Sequence, residues 1–371
     1  MSKKLHFHTL DSTRFFAFLI VFGIHLNITY AHPVLRFLTS GGAHGLSYFF
    51  VLSGFLITYI LVSEKKEEGK IDRKKFFIRR CFRIWPLYFF VVGISYFVFY
   101  NFPSYIDLSK PDRYLPDWRY SFTFLENYKM IFTHKSPAIA SLTVFWSLCV
   151  EEHFYILWMF LISIIPIKKL PITFIICIVI ANIYRAFVPP LFHTTILNMR
   201  DLFANLDFFS SGAIFGYFTA TKYEQLIKLI NSIPFYFRAL YIPFTLLFLL
   251  VVRYILPTEL FFTGVIKWTV IAAVFAMLIA IFIPPDSKLR IKDSNPLSYL
   301  GKITYSLYVY HIIVLQIVHR FIVSRQLSPD NIYVLLSFGV ISLALTIFIG
   351  HLSYKYIETP FFRLREKFYK Y

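Results

Sequence analysis

The first apolar run of the chain carries two ionisable residues, Arg14 and His25, eleven residues apart. Eleven residues are almost three turns of an α-helix, so both side chains project from one face, about 16 Å apart along the axis. An arginine inside a membrane costs on the order of 3 kcal/mol, which favours a functional role. Asp11, three residues before Arg14, can pair with it on this face. A neutral imidazole at His25 could act as a general base; the structural alternatives are interface snorkelling of Arg14 and a hydrogen-bonded core histidine.

A second set of polar residues stands at the head of the fourth apolar run, in the segment WSLCVEEHFY at residues 146–155. Ser147, Glu151 and Tyr155 repeat every four residues and therefore form one stripe on a helix. The adjacent carboxylates of Glu151 and Glu152 are hard to explain by folding alone. A carboxylate here could orient or charge-stabilise a catalytic imidazole from another helix. Glu151 is the preferred candidate because it shares the stripe.

Two further candidate sites, an arginine pair and a histidine, lie in or beside apolar runs. Arg80 and Arg83 are spaced i, i+3 and share a face if their segment is helical. Guanidinium groups bind phosphate bidentately, so this pair could hold a phosphorylated cofactor. Contact with anionic lipid is an equal alternative from the spacing alone. His311 follows Tyr308 by three residues, where it could line a polar cavity or only bond Tyr308 and a neighbouring helix.

These candidates require a bundle of membrane helices to position them. Of the 371 residues, 57% are hydrophobic and only 16% are charged, whereas soluble proteins carry about 25% charged residues. Apolar runs of roughly the 20 residues that cross a bilayer recur along the chain. We therefore predict an all-α polytopic membrane helix bundle of about ten transmembrane helices. The predicted spans lie near 14–31, 45–62, 84–101, 145–165, 171–188, 203–221, 234–252, 265–283, 303–323 and 332–354.

The distribution of positive charge predicts the orientation. The net charge is +18, and most of the 38 lysines and arginines fall on one side of the ten predicted spans. The positive-inside rule then places both termini in the cytoplasm. Membrane orientation and attraction to anionic headgroups explain this charge, so no nucleic-acid partner is expected. The small residues Gly54, Gly212 and Gly216 predict close approach of their helices.

The remaining features of the sequence bear on the number of domains and on metal binding. There is no internal repeat and no second hydrophilic stretch, so we interpret residues 1–371 as a single membrane domain without an additional extracytoplasmic domain. The longest polar interval, about 102–144, is predicted to face outward, as a lid or as a packed loop with no substrate role. The three cysteines are dispersed, and Glu151-Glu152-His153 lacks the second histidine of a zinc-binding helix motif, so no metal site is predicted.

Six sequence blocks, taken together and in order, resemble the acyltransferase 3 family of bacterial membrane O-acyltransferases. They are Leu10–Arg14 with His25, Phe49–Leu56, Arg80–Arg83, Trp146–Tyr155, Gly301–His311 and Ile357–Phe361. Each block alone is weak, but their order across nearly the whole chain is specific. His153, Thr304 and Tyr310 depart from the usual glutamine, serine and tryptophan of the family. These departures leave the reaction class intact and could alter the acceptor.

The resemblance implies transfer of an acyl group, usually acetyl, from cytoplasmic acyl-CoA to a hydroxyl of a sugar or cell-surface glycan. The Arg-x10-His pair is functionally essential in the family, and the resemblance carries it over to Arg14 and His25. The family's Arg-x-x-Arg element carries over to Arg80 and Arg83, and the glutamate of the family's Trp-Ser-Leu-x-x-Glu block carries over to Glu151. We expect His25, held by Glu151 or another carboxylate, to deprotonate the acceptor hydroxyl. Arg14 would anchor the donor or polarise the acyl carbonyl. Acyl-CoA is expected as a co-substrate, with no permanently bound cofactor.

A membrane transporter or flippase for a lipid-linked glycan or small metabolite is the competing interpretation. Such a protein would also hold buried charges around a polar cavity. It predicts inverted repeats with paired Gly or Pro breaks in two halves, and no such symmetry is visible in the sequence. The favoured expectation is therefore a multi-pass O-acetyltransferase of the bacterial inner membrane, with the lipid bilayer, acyl-CoA and a glycan acceptor as its partners.

Overall fold

The structure is a computed structural model of the chain. It describes Leu5, Phe37 and the ranges 7–26, 43–102, 111–191, 200–257, 261–285, 287–328 and 331–368. α-Helices dominate these ranges. In chain order they are α1 (His8–His25), α2 (Ala43–Glu68), α3 (Arg73–Asn101), α4 (Trp118–Phe122), α5 (Glu126–Thr133), α6 (Ala140–Thr143), α7 (Trp146–Ile164), α8 (Leu170–Leu191), α9 (Leu206–Thr221), α10 (Tyr223–Ser232), α11 (Phe235–Ile255), α12 (Phe261–Ile281), α13 (Pro296–Lys302), α14 (Thr304–Ser324), α15 (Ile332–Ser353) and α16 (Thr359–Phe368).

Ten of these helices coincide with the predicted spans, namely α1, α2, α3, α7, α8, α9, α11, α12, α14 and α15. Among the described residues, eight helical segments are long and apolar enough to cross a bilayer. The two helices outside that set, α1 and α9, have 18 and 16 residues, and residues 27–31 of the first predicted span lie outside the described ranges. The prediction of an all-α membrane bundle is confirmed, whereas the cytoplasmic position of both termini stays a prediction.

The polar interval between α3 and α7 folds into short elements. Strands β1 (Arg113–Tyr114) and β2 (Ser136–Pro137) pair in parallel, with Arg113 opposite Ser136 and Tyr114 opposite Pro137. Helices α4 and α5 lie between the two strands in sequence, and α6 follows β2. The described part of this interval is therefore a packed loop, and residues 103–110 lie outside the described ranges.

The chain divides into two compact units. Unit 1 comprises Met1–Ile71, Leu161–Ala186 and Asn205–Thr304, and unit 2 comprises Asp72–Phe160, Phe187–Ala204 and Tyr305–Tyr371. The predicted site residues of α1 belong to unit 1. Those of α3, α7 and α14 belong to unit 2.

Glycines hold α2 and α9 in direct backbone contact within unit 1. A Cβ atom on Gly54 would lie 1.9 Å from the carbonyl oxygen of Phe209, and one on Gly212 would lie 1.9 Å from that of Val51. Gly216 faces α2 in the same way. Small residues at such crossings allow van der Waals contact between membrane helices. The predicted close approach at these glycines is confirmed.

Replacing Gly54 with alanine is expected to destabilise the folded protein by about 3 kcal/mol, because the added methyl group must push two backbones apart. Thermal unfolding of the purified protein in detergent measures the effect. Gly93→Ala is the matched control: it also lies within a helix, but nothing lies within 4 Å of its Cβ position. An unfolding temperature equal to that of the wild type for Gly54→Ala would contradict the described α2–α9 packing.

Candidate active site

The first turns of α1 hold a paired carboxylate and guanidinium in unit 1. Arg14 Nη1 donates to Asp11 Oδ1 at 2.5 Å, which confirms the predicted pairing. The Ser12 and Ser298 hydroxyls lie 2.9 Å apart, and a Cβ atom on Gly301 would meet the Asp11 carbonyl oxygen at 1.7 Å. Helix α13 therefore packs directly on α1 and fixes the position from which Asp11 holds Arg14.

A tyrosine of α2 joins this pair. The Tyr48 hydroxyl lies 2.5 Å from Thr13 Oγ1, and the charges of Asp11 and Arg14 both act on it. Tyr48 is 2% exposed. No feature of the sequence distinguishes Tyr48, because one tyrosine among 26 carries no signal of a polar contact with another helix. The Arg14 end of α1 thus combines a carboxylate, a guanidinium and a buried phenol.

His25 is the last residue of α1. Its Nδ1 lies 2.9 Å from the Val21 carbonyl oxygen. A carbonyl oxygen can only accept, so this hydrogen bond places the proton of the neutral ring on Nδ1 and the lone pair on Nε2. This tautomer is the one that can take a proton at Nε2, as a general base must. The helix is continuous from Arg14 to His25, so the predicted spacing on one helix is confirmed.

The predicted polar stripe of α7 is present in unit 2. Tyr155 donates its hydroxyl proton to Glu151 Oε2 at 3.0 Å. Ser147 Oγ lies 2.7 Å from the Tyr308 hydroxyl of α14. The stripe therefore holds Glu151 in a fixed position and connects α7 with α14. The predicted partnership of Glu151 with His25 concerns residues of different units and stays a prediction.

Helix α3 carries the two candidate arginines and places Arg80 beside this stripe. The segment is helical, as their proposed shared face requires. The Arg80 guanidinium carbon lies 5.6 Å from the centroid of the Tyr155 ring, whereas Arg83 is exposed. Glu152, the second carboxylate, is 5% exposed and accepts from Trp85 Nε1 at 3.2 Å. The role of Arg80 and Arg83 in holding the phosphates of a cofactor stays a prediction.

His311 is completely buried in α14. Its Nδ1 is hydrogen-bonded to the carbonyl oxygen of Tyr308. Of the two interpretations of His311, the structure shows the bond to Tyr308, and a role in a polar cavity stays a prediction.

Glu358 is a buried carboxylate that sequence analysis placed in a family block without assigning it a role. It is 3% exposed and accepts a hydrogen bond from the Ser306 hydroxyl. It ends a π-helical turn, Tyr354–Glu358, a rare geometry that occurs often at functional sites. The charge of Arg83 acts on it. The only sequence signal was the run Glu358-Thr359-Pro360 after the last apolar span.

A second missed carboxylate lies in the loop between α3 and α7. Glu126 has no exposed surface and accepts from the Tyr114 hydroxyl at 2.5 Å and from Ser121 Oγ at 2.6 Å. Burial raises the pKa of the Glu126 carboxyl and that of the Tyr114 hydroxyl. These bonds tie β1, α4 and α5 into one packed structure.

A buried ion pair joins α8, α9 and α12 within unit 1. Arg185 donates to both carboxylate oxygens of Asp207, at 3.1 and 2.6 Å, and neither side chain is more than 1% exposed. Thr269 donates to the same carboxylate at 2.7 Å, and Asn182 donates to Thr269 at 2.8 Å. The sequence carries no signal of this network, because the partners on different helices are 22 to 87 residues apart.

Replacing Asp207 with leucine is expected to cost about 3–5 kcal/mol of folding free energy, because it leaves the Arg185 charge buried without its carboxylate. The double variant Arg185→Met/Asp207→Leu should recover most of this loss, since an apolar pair can replace a buried ion pair. Unfolding in detergent with increasing denaturant measures both variants. Equal stabilities of the single and double variants would contradict the described pair.

No group of three or more His, Cys, Asp or Glu side chains in the described ranges could hold a metal ion. Cys81, Cys149 and Cys177 are free thiols.

The helices and their polar clusters define a polytopic membrane protein with ionisable groups held inside its helical units. The family model described as "Acyltransferase domain" matches residues 7–351. The chain belongs to this acyltransferase family, and the resemblance drawn from the six sequence blocks is confirmed. The matched range includes Arg14, His25, Arg80, Arg83 and Glu151.

Curated relatives with assigned names match most of the chain. It is 28% identical over 375 residues to an O-acetyltransferase OatA of Staphylococcus aureus, an alignment that covers 97% of this chain and 57% of the relative. It is 26% identical over 375 residues to the peptidoglycan O-acetyltransferase OatA of Listeria monocytogenes, with 95% of this chain and 55% of the relative covered. The chain therefore spans about half the length of these relatives. No solved structure matches it.

Proposed function

We propose that the protein is a membrane O-acetyltransferase that moves an acetyl group from cytoplasmic acetyl-CoA to a hydroxyl of a cell-surface glycan. The observation that carries this proposal is the state of His25. Its Nδ1 is anchored to the Val21 carbonyl, and its Nε2 therefore holds a lone pair for proton abstraction. Membership of the acyltransferase family and the names of the relatives support an acyl transfer as the reaction.

The proposed reaction assigns a role to each cluster. His25 takes the proton of the acceptor hydroxyl as its oxygen attacks the thioester carbonyl carbon. The carbon–sulfur bond breaks, the proton passes to the departing thiolate, and the products are an ester and free CoA. Arg14, held by Asp11 at 2.5 Å, stabilises negative charge on the carbonyl oxygen. Arg80 and Arg83 bind the phosphates of the donor.

The acceptor is proposed to be a glycan of the bacterial envelope, and the protein a component of the inner membrane. One relative is named a peptidoglycan O-acetyltransferase, which makes a sugar hydroxyl of peptidoglycan the first acceptor to test. Glu151 is proposed to position a catalytic group, because its bond to Tyr155 fixes its carboxylate on the polar stripe.

Release of free thiol from acetyl-CoA by the purified protein tests the proposal. The protein in lipid nanodiscs is incubated with acetyl-CoA and peptidoglycan fragments, and CoA is followed with a thiol reagent. We expect thiol release that depends on the fragments, with an equal amount of ester formed on them. A transporter would leave the thioester intact, so the absence of thiol release would reject the enzyme assignment.

A further inference from the structure

We propose that the packed loop between α3 and α7 is a lipid-binding surface, which lies within the bilayer and presents Trp118 and Phe122 to acyl chains. The sequence predicts an outward-facing polar segment here, without a span. The structure instead places α4 beside the apolar part of α3 rather than beyond its end. The surface is independent of the proposed reaction, because it rests on the packing of the loop on α3 within unit 2.

Helix α4 packs along the middle of the apolar part of α3. That part, residues 84–101, is about 26 Å long and belongs to a helix long and apolar enough to cross a bilayer. The Tyr88 hydroxyl donates to the Ser121 carbonyl oxygen at 2.7 Å, and the Tyr96 hydroxyl lies 3.0 Å from Ser121 Oγ. Tyr88 and Tyr96 lie about 6 and 18 Å from Ile84 along the axis, so α4 lies well inside the apolar part.

The turn after α4 reaches farther along α3. The Phe124 ring stacks on Tyr88 with centroids 4.2 Å apart and lies 5.8 Å from the Trp85 ring. Trp85 is next to Ile84, where the apolar part begins. Phe124 has φ +58°, a left-handed turn conformation, after which the chain continues into α5. Strands β1 and β2 flank α4 and α5 in sequence and pair with each other, so the segment returns to the place where it began.

Helix α5 lies at a similar depth against α7. The Tyr128 ring of α5 stacks on His153 with centroids 5.5 Å apart. His153 is seven residues, or about 10 Å, from Trp146, the first residue of α7. Contacts with two different spanning helices, α3 and α7, therefore place the same loop at membrane depth.

The polar groups of the loop find partners inside the protein, as a position in the bilayer requires. Ser121 Oγ donates to Glu126 Oε2 at 2.6 Å, and the Tyr114 hydroxyl donates to Glu126 Oε1 at 2.5 Å. Neither Ser121 nor Glu126 has exposed surface. Irregular backbone at membrane depth is tolerated only where protein surrounds its polar groups. The face of α4 that carries Ser121 meets this condition.

Another face of α4 is apolar and exposed. Trp118 and Phe122 are spaced i, i+4 and therefore share a face, with exposed fractions of 60% and 42%. The Phe122 ring stacks on Phe89 of α3 with centroids 5.8 Å apart. Phe90 and Phe97 of α3 are seven residues apart, share a face and are also exposed. The exposed face of α4 thus continues the apolar surface of a spanning helix, and such patches mark contact with a membrane or a protein.

The order of residues along α4 favours lipid as the partner. Trp118 lies one turn farther than Phe122 from the deep turn at Phe124. Tryptophan is the residue enriched where acyl chains meet headgroups, and phenylalanine suits the acyl chains below. Arg119, next to Trp118, is exposed and bonded to Asp117 at 2.9 Å, an ion pair that suits the level of the headgroups.

Quenching of tryptophan fluorescence by brominated lipid tests this surface. All five tryptophans lie in the described ranges, and Trp118 alone among them is exposed. The full chain is reconstituted in phosphatidylcholine vesicles with or without bromine on the acyl chains, which quenches only tryptophans that it contacts. We expect the wild type to lose more emission than Trp118→Phe, by about the share of one tryptophan in five. Adding Phe122→Trp to Trp118→Phe should restore this loss, because residue 122 lies on the same face.

Trp158→Phe is the matched control. Trp158 is completely buried in α7, so its removal should leave the bromine-dependent loss in place. Iodide in the aqueous phase is applied to the same samples, including the wild type, so the test does not depend on the folding of one variant. Equal bromine quenching of the wild type and Trp118→Phe, or quenching of Trp118 by iodide alone, would overturn the inference in favour of an aqueous loop. Protection of Trp118 from both quenchers would overturn it in favour of a protein partner, such as a second copy of the chain.

Discussion

Replacing His25 with alanine is expected to reduce acetyl transfer by about 10²–10⁴-fold, the usual contribution of a general base. A bond from Nδ1 to the Val21 carbonyl positions the His25 ring at the last residue of α1. Its removal therefore takes away the proton acceptor without breaking a helix. The measurement is the rate of ester formation at saturating acetyl-CoA, where the loss should appear in kcat.

His319→Ala is the control for the His25 variant. His319 is an exposed histidine of a spanning helix, α14, and its substitution removes an imidazole of the same size. Its rate should equal that of the wild type. A correctly folded His25→Ala protein with an unchanged rate would remove His25 from the catalytic assignment. His25→Gln should be as slow as His25→Ala, because an amide can keep the bond to Val21 but cannot take the proton.

The double substitution Arg80→Ala/Arg83→Ala is expected to raise KM for acetyl-CoA by about 100-fold or more. Each guanidinium lost removes hydrogen bonds to charged phosphate, worth about 1.5–3 kcal/mol. Arg80 packs at 5.6 Å from the Tyr155 ring, whereas Arg83 is exposed, so the two should contribute unequally. Initial rates over a range of acetyl-CoA concentrations give KM and kcat, and kcat should change much less than KM.

Arg79→Ala separates donor binding from a general effect of positive charge. Arg79 lies next to Arg80 on α3, but it projects about 100° away around the helix. If Arg80 and Arg83 only attract anionic lipid, all three substitutions should have similar small effects, and these should vanish in neutral lipid. A KM for acetyl-CoA that is unchanged in the double variant would contradict the donor-binding role.

Features set by neighbours in sequence could be predicted. The Asp11–Arg14 pair and the Glu151–Tyr155 bond each lie within one helix, where the 3.6-residue period fixes which side chains meet. The positions of the ten long helices could also be predicted, because each follows from the length of a continuous apolar run. The glycine contacts between α2 and α9 were predictable because small residues at helical spacing have few other uses in a membrane.

Features set by the packing of distant segments could not be predicted. Nothing in the sequence pairs Asp207 with Arg185, which lies 22 residues earlier on another helix. Tyr48 and Glu358 acquire their polar contacts from Thr13 and Ser306, which lie on other helices. The buried state of Glu126 depends on how a short polar loop folds on itself. Such contacts are decided by tertiary packing, which local periodicity does not encode.

Transfer of labelled acetyl from acetyl-CoA to peptidoglycan fragments by the reconstituted protein tests the central claim most directly. Proteoliposomes carrying the wild type or His25→Ala receive the labelled donor, and the fragments are analysed by mass spectrometry for an added acetyl ester. The account predicts the ester in the wild-type sample and its near absence with His25→Ala. Intact acetyl-CoA and unmodified fragments in the wild-type sample, or equal esterification by His25→Ala, would contradict it.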